Sequence, residues 1–83
     1  MTSIIKNPKT VKDLAREIIK VCDGYWGREL SEQAGRDYII YWSLNEGKKL
    51  YKGNEINPTI KLIIGKKRVE LLEKWSEGVQ IKL

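Results

Sequence analysis

Histidine is absent from this sequence, as is phenylalanine, and cysteine occurs once, at Cys22. Without histidine, the Ser–His and Cys–His pairs of nucleophilic enzymes and the histidine-containing metal sites are excluded. One cysteine can form neither an internal disulfide bond nor a zinc site, and an unpaired thiol is typical of a reducing compartment. We therefore expect a cytoplasmic protein that is not an enzyme and that holds no metal ion and no cofactor.

Long apolar runs are also missing. A membrane-spanning helix needs about 20 predominantly apolar residues, whereas the longest apolar runs here are Tyr38–Trp42 and Leu62–Ile64. Residues 1–10 contain no apolar run of signal-peptide length, and we expect no membrane partner. The 83 residues, 41% hydrophobic and 33% charged, are sufficient for one folded domain spanning 1–83, with a small core.

The first predicted helix spans about residues 8–22, where apolar residues recur at spacings of three and four. Two starts are open. One is Asn7 before Pro8, and the other is Thr10, a residue type that caps helices through its side-chain oxygen. Gly24 is the expected end of this helix.

The second predicted helix spans about residues 31–46, with Ser31 at its start and an aromatic-rich apolar stripe in its middle. The run Asn45–Gly47 ends it. The following segment, residues 48–56, is irregular and is either a loop or a brief strand.

The third predicted helix begins after Asn57 and continues to about residue 76, but Gly65 and three basic residues interrupt its apolar pattern. We expect a continuous or gently bent helix across 58–76, in which the aliphatic stem of Lys67 or Arg68 fills the gap in the apolar stripe. The alternative is a turn at Gly65 between two helices. Three cations then fall in the first turn of a helix, where the dipole opposes them unless an anion binds.

The last five residues, Val79–Leu83, alternate between apolar and polar side chains and predict a short extended segment. Its strand partner is open: residues 3–6, residues 49–51, or the same segment of a second chain. The predicted fold class is therefore mainly α, a three-helix bundle-like domain with a short extended C-terminal segment.

The net charge of +5 is concentrated in one window of the sequence. Residues 48–68 hold seven basic residues and one acidic residue, a net charge of +6, whereas residues 1–47 sum to zero. A localised basic excess is typical of a surface that binds nucleic-acid phosphates, although the same pattern also keeps a small protein soluble. Only one of the seven is arginine, so we expect contact with the backbone rather than reading of bases. The candidate nucleic-acid-binding residues are Lys48, Lys49, Lys52, Lys61, Lys66, Lys67 and Arg68.

A second hypothesis is that the protein is a protein-interaction module or forms a homodimer. Tyr51 lies among lysines, where an exposed aromatic side chain could anchor a partner, although packing on the bundle is the alternative. The apolar residues of the C-terminal segment could add a strand to another chain. The candidate partner-binding residues are Tyr51, Val79, Ile81 and Leu83.

The remaining motifs give no support for catalysis or nucleotide binding. Cys22 falls on the apolar side of the first predicted helix, so a buried structural thiol is expected. Carboxylates such as Asp13 and Glu17 are interleaved with basic residues at helical spacing, which is typical of surface ion pairs. The sequence has neither a P-loop nor a Gly-x-Gly-x-x-Gly motif, and the residues around Gly65 fit a helix-turn-helix motif poorly.

The stretches Lys52–Thr59 and Gly65–Leu72, together with Tyr25-Trp26 and the helix before them, resemble a family of short uncharacterised proteins. Its members come from Gram-positive bacteria and their phages or mobile elements. The resemblance spans most of the chain and implies a small standalone bacterial or phage protein. The family has no assigned activity, so the resemblance implies no catalytic residues.

Overall fold

Five helices and one short hairpin make up the part of the chain that the structure describes, residues 4–53 and 55–76 of a computed structural model. This architecture confirms the prediction of a mainly α fold. The extended segment expected at 79–83 lies outside the described residues. The elements in chain order are α1 (Val11–Trp26), α2 (Glu32–Asn45), α3 (Gly47–Leu50), β1 (Tyr51–Lys52), β2 (Glu55–Ile56), α4 (Pro58–Ile64) and α5 (Lys66–Ser76).

Helix α1 begins at the second of the two candidate starts. The Thr10 side-chain oxygen accepts a hydrogen bond from the Asp13 amide at 3.0 Å, which satisfies one of the free N–H groups of the first turn. Asn7 lies outside the helix, and its side-chain oxygen accepts a hydrogen bond from the Tyr41 hydroxyl at 3.0 Å. Residues before Thr10 therefore connect the N-terminal segment to α2 rather than extend α1.

The expected end of α1 at Gly24 was wrong, because the helix continues to Trp26. Gly24 instead allows close packing where the chain reverses direction after α1. Its carbonyl accepts hydrogen bonds from the amides of Glu29 and Leu30 at 2.8 and 3.0 Å. A methyl group at this position would lie 3.1 Å from the Leu30 side chain.

Helix α2 begins as predicted, with the Ser31 hydroxyl accepting from the Ala34 amide at 3.1 Å. Its close contact with α5 depends on Gly35, because a Cβ atom there would lie 2.5 Å from Cη2 of Trp75. Trp42, also on α2, is fully buried, and its indole N–H donates to the Lys6 carbonyl at 2.8 Å. The two tryptophans fill much of the interior in a chain without phenylalanine.

The irregular segment 48–56 contains a brief strand, one of its two predicted alternatives. After the single turn of α3, β1 and β2 pair antiparallel, with Tyr51 opposite Ile56 and Lys52 opposite Glu55. Asn57 fixes the next element, because its side-chain oxygen accepts from the Thr59 amide at 2.9 Å at the start of α4. Its backbone amide also donates to the Leu50 carbonyl at 2.8 Å.

The prediction of a continuous third helix was wrong. The chain breaks at Gly65, whose φ of 87° and ψ of 163° separate α4 from α5. This backbone conformation is essentially restricted to glycine. Because of the break, the apolar residues of α4 and those of α5 both reach the interior, although basic residues separate them in the sequence. Helix α4 packs mainly on α1, and α5 packs mainly on α2.

The core lies between these two helix pairs. Its buried apolar residues come from all five helices and from β2, and Glu17 is the buried charged residue, hydrogen bonded to the Ile5 amide at 2.8 Å. The core comprises Leu14, Ala15, Ile18, Val21, Cys22, Ile39, Trp42, Leu50, Ile56, Ile60, Ile64, Leu71, Leu72 and Trp75.

The break between α4 and α5 is tested by Gly65→Ala. In a continuous helix, alanine would stabilise the protein by about 1 kcal/mol because it has the higher helix propensity. With the φ of Gly65 at 87°, we expect the opposite sign, a loss of about 1–3 kcal/mol. Urea denaturation followed by circular dichroism measures the free energy of unfolding. Gly47→Ala is the control, because nothing lies within 4 Å of its added Cβ and its φ is not positive. A stabilised Gly65→Ala protein would contradict the break.

Candidate nucleic-acid interface

The seven candidate cations fall into two groups, those held in ion pairs and those exposed to solvent. Lys49 bonds to Glu46 at 2.6 Å within the turn leading into α3. Lys61 reaches Glu55 of the hairpin at 3.6 Å, and Arg68 bonds to Asp23 of α1 at 2.9 Å. These three side chains each have an acidic partner already, which reduces their availability for a phosphate.

Arg68 is the most constrained of the seven. Its Nε and Nη2 atoms donate to the Asp23 carboxylate at distances of 2.9–3.1 Å, and Nη1 donates to the Ile64 carbonyl at 2.9 Å. The guanidinium carbon also lies 6.0 Å from the centre of the Trp26 ring. Bidentate geometry of this kind fixes a guanidinium group better than a simple ion pair does. Arg68 therefore ties α1 to both sides of the α4–α5 break.

The other four cations, Lys48, Lys52, Lys66 and Lys67, are exposed. None of them forms an ion pair with another residue in the described ranges. Their ammonium groups therefore remain available to an anion.

These exposed lysines occupy two places in the fold. Lys48 and Lys52 lie on α3 and β1, whereas Lys66 and Lys67 form the first turn of α5. Helix α4, seven residues long and thus about 10 Å, lies between them in sequence. Lys61 connects the two places, because it bonds to the hairpin at Glu55 and lines the same groove as Lys66.

The first turn of α5 concentrates positive potential. The amide groups at a helix N-terminus carry partial positive charge, and Lys66 and Lys67 add two full charges in the same turn. No acidic residue lies in that turn. An anion bound nearby would relieve this repulsion, as the sequence pattern indicated for a helix that begins after Gly65.

Of the four candidate partner-binding residues, the structure describes Tyr51. Its side chain is half-buried against the core, and its hydroxyl lies 3.1 Å from the Ser43 hydroxyl. The ring is thus held on the bundle, which is the alternative raised from the sequence. Val79, Ile81 and Leu83 lie outside the described residues.

A groove between α4 and α5 was not anticipated from the sequence. It has a volume of about 610 Å³ and is lined in part by Leu62, Val69 and Lys66. The side chain of Leu62 is 87% exposed, the highest value among the large hydrophobic residues that the structure describes. The signal was present in the sequence, since Leu62 falls out of phase with Ile60 and Ile64, which face the core.

Cys22 is a buried thiol on α1 with no exposed surface. Burial raises its pKa from 9.0 to about 12; the nearby Arg68 charge lowers it in part and Asp23 raises it. The thiol therefore stays protonated at neutral pH and is a poor nucleophile. Within residues 4–53 and 55–76, no group of three or more potential Cys, Asp or Glu ligands is placed to hold a metal ion.

Comparison with known proteins assigns the chain to a family. Residues 5–77 match a protein-family model described as a conserved hypothetical protein, and the chain belongs to that family. This confirms the expectation of an uncharacterised family. The comparisons with curated proteins and with solved structures gave no match. None of the helices in the described part of the chain is long and apolar enough to cross a bilayer.

The burial of Cys22 is tested by thiol labelling at pH 8. A pKa of about 12 in place of 9.0 leaves on the order of 1,000-fold less thiolate, so the folded protein should react only as fast as it unfolds. The same rise in the pKa of Cys22 links its thiol to the free energy of unfolding. The stabilising contribution is complete below pH 9 and is lost as the pH rises towards 12, because in that range the folded protein keeps the thiol proton that the unfolded chain has released. Labelling of the native protein at the rate of the urea-unfolded chain would contradict this placement.

Proposed function

We propose that this protein binds the phosphate backbone of a nucleic acid through its exposed lysines. One observation carries the proposal. In the segment that holds the net charge, the ammonium groups of Lys48, Lys52, Lys66 and Lys67 are exposed and form no ion pair with another described residue. Unpaired lysines at these two places in the fold give a positive potential that attracts a polyanion.

The chemistry of these residues favours binding without sequence preference. Lysine is a flexible point charge that suits phosphate oxygens, whereas arginine reads base edges through its planar fork. Arg68, the one arginine of the segment, has its donors directed at Asp23 and Ile64. The proposed contact is therefore electrostatic, and its affinity depends steeply on salt concentration.

The cell compartment and the genetic source of the protein are part of the same proposal. We place the protein in the cytoplasm of a bacterium, encoded by the chromosome, a phage or a mobile element, and acting by binding rather than by catalysis. The resemblance described above supports the source. The lone, buried Cys22 supports a reducing compartment.

A second candidate is a protein-interaction module, such as an inhibitor or adaptor. It is favoured by the exposed Leu62 in the groove between α4 and α5, because solvent-exposed apolar side chains beside a groove are typical of protein contacts.

The test compares two triple variants of equal charge. Lys48→Gln/Lys52→Gln/Lys67→Gln removes three exposed lysines of the segment and leaves Lys66, which also lines the groove. The control removes exposed cations from elsewhere and leaves the same formal net charge of +2, starting from +5. Its changes are Lys9→Gln, Lys12→Gln and Arg36→Gln.

Fluorescence anisotropy with labelled single-stranded and duplex oligonucleotides measures affinity from about 50 to about 300 mM salt. We expect the wild-type protein to bind with a linear dependence of log K on log salt concentration. The lysine variant should lose at least about tenfold in affinity, and its salt slope should fall by about 2–3 because three phosphate contacts are gone. The control should retain most of the affinity. Absent wild-type binding at low salt, or equal losses in the two variants, would refute the proposal.

A further inference from the structure

The groove between α4 and α5 presents apolar surface that residues 4–53 and 55–76 do not cover. Helix α4 turns Ile60 and Ile64 into the core, while Leu62 points away and is 87% exposed. Val69 of α5 lines the same groove and is half-buried. Burying an exposed leucine side chain is favourable by about 1.5–3 kcal/mol, so a complementary surface that covers Leu62 gains this contribution towards the cost of association.

The charges beside this apolar surface are separated by sign along α5. Lys66, Val69, Glu70 and Glu73 are spaced as i, i+3, i+4 and i+7, which places them on one face of the helix, and all four line the groove. The basic residue is at the start of this face and the acidic residues follow. Lys66 and Glu73 are separated by about 10 Å along the helix axis.

These charged groups have no counterpart inside the described part of the chain. Neither Lys66 nor Glu70 nor Glu73 forms an ion pair there. Two other acids, Asp23 on α1 and Glu46 between α2 and α3, bond to Arg68 and Lys49. The groove face of α5 therefore begins with an unpaired basic residue and continues with two unpaired acidic residues, Glu70 near its middle and Glu73 at its end.

We propose that the occupant of this groove is a second copy of this chain, related by a twofold axis beside Val69. The midpoint between Lys66 and Glu73 falls at Val69–Glu70. Two α5 helices that lie antiparallel across this point bring Lys66 of each copy opposite Glu73 of the other. Val69 of each copy then lies opposite Glu70 of the other beside the axis, and the second copy covers Leu62 in the same groove.

The charge pattern selects this arrangement over a parallel one. Parallel α5 helices would set Lys66 against Lys66 and Glu73 against Glu73, which is repulsive, whereas a closed twofold contact uses the same patch on both copies and pairs opposite charges. Lys48, Lys52 and Lys67 do not line the groove. The dimer therefore uses Lys66, one of the four lysines proposed to contact phosphate, while the other three lie outside the groove, and its formation does not depend on nucleic-acid binding.

Sedimentation equilibrium from about 10 to about 500 µM protein measures association, the range in which a small interface becomes populated. We expect a shift from the 9.7 kDa monomer towards twice that mass. Leu62→Ser should weaken association at least about tenfold. Leu44→Ser is the matched control, because Leu44 is also exposed, at 67%, but lies on α2 outside the groove, and it should dimerise like the wild type.

A charge swap tests the antiparallel register. Lys66→Glu alone and Glu73→Lys alone should each weaken the dimer about tenfold, because each creates two like-charge pairs across the twofold axis. The double variant Lys66→Glu/Glu73→Lys restores opposite charges and should return to within about threefold of the wild-type dissociation constant. Circular dichroism checks that each variant is folded.

A wild-type protein that stays monomeric at the highest concentration overturns the proposal and leaves the groove to a different partner. Equal weakening by Leu62→Ser and Leu44→Ser also overturns it. A double charge variant that associates no better than the single variants refutes the antiparallel pairing. Because these measurements contain no nucleic acid, their failure is distinct from a failure of the proposed function.

Discussion

Arg68 links the α4–α5 break to α1. Its guanidinium group bonds to the Asp23 carboxylate on α1 and to the Ile64 carbonyl at the end of α4. Gly65 supplies the backbone freedom for the break, with a φ of 87°, but freedom alone does not choose a direction. Arg68 favours the observed direction, because its bonds join the end of α4 and the first turn of α5 to α1.

The core and the exposed surface both follow from that break. It allows α4 to pack on α1 and α5 to pack on α2, so Ile60, Ile64 and Trp75 are all buried. It also places Lys66 and Lys67 in the first turn of a helix and leaves Leu62 outside. The break therefore accounts for the groove proposed for a second copy and for two of the four lysines proposed for phosphate contact, while Lys48 and Lys52 lie on α3 and β1.

Local signals in the sequence were sufficient for most of the fold. Ser31 marked a helix start that its side chain does cap, Thr10 was one of two candidate starts and is the one that caps α1, and Cys22 is buried as expected. The break was not predictable in the same way. Asp23, which pairs with Arg68 beside the break, lies 45 residues from it along the chain. A run of basic residues in the sequence does not show which of them will pair with an acidic residue. Long-range pairing also explains why seven candidate cations separate into paired and exposed groups.

The most direct test of this account is a double-mutant cycle on Asp23 and Arg68. The free energies of unfolding of Asp23→Asn, Arg68→Gln and the double variant would be measured by urea denaturation. Asp23 is 51% and Arg68 31% exposed, so we expect a coupling energy reduced by solvent but still about 0.5–1.5 kcal/mol because the contact is bidentate. Strictly additive effects, with a coupling below about 0.3 kcal/mol, would show that the pair does not hold α1 to the α4–α5 break.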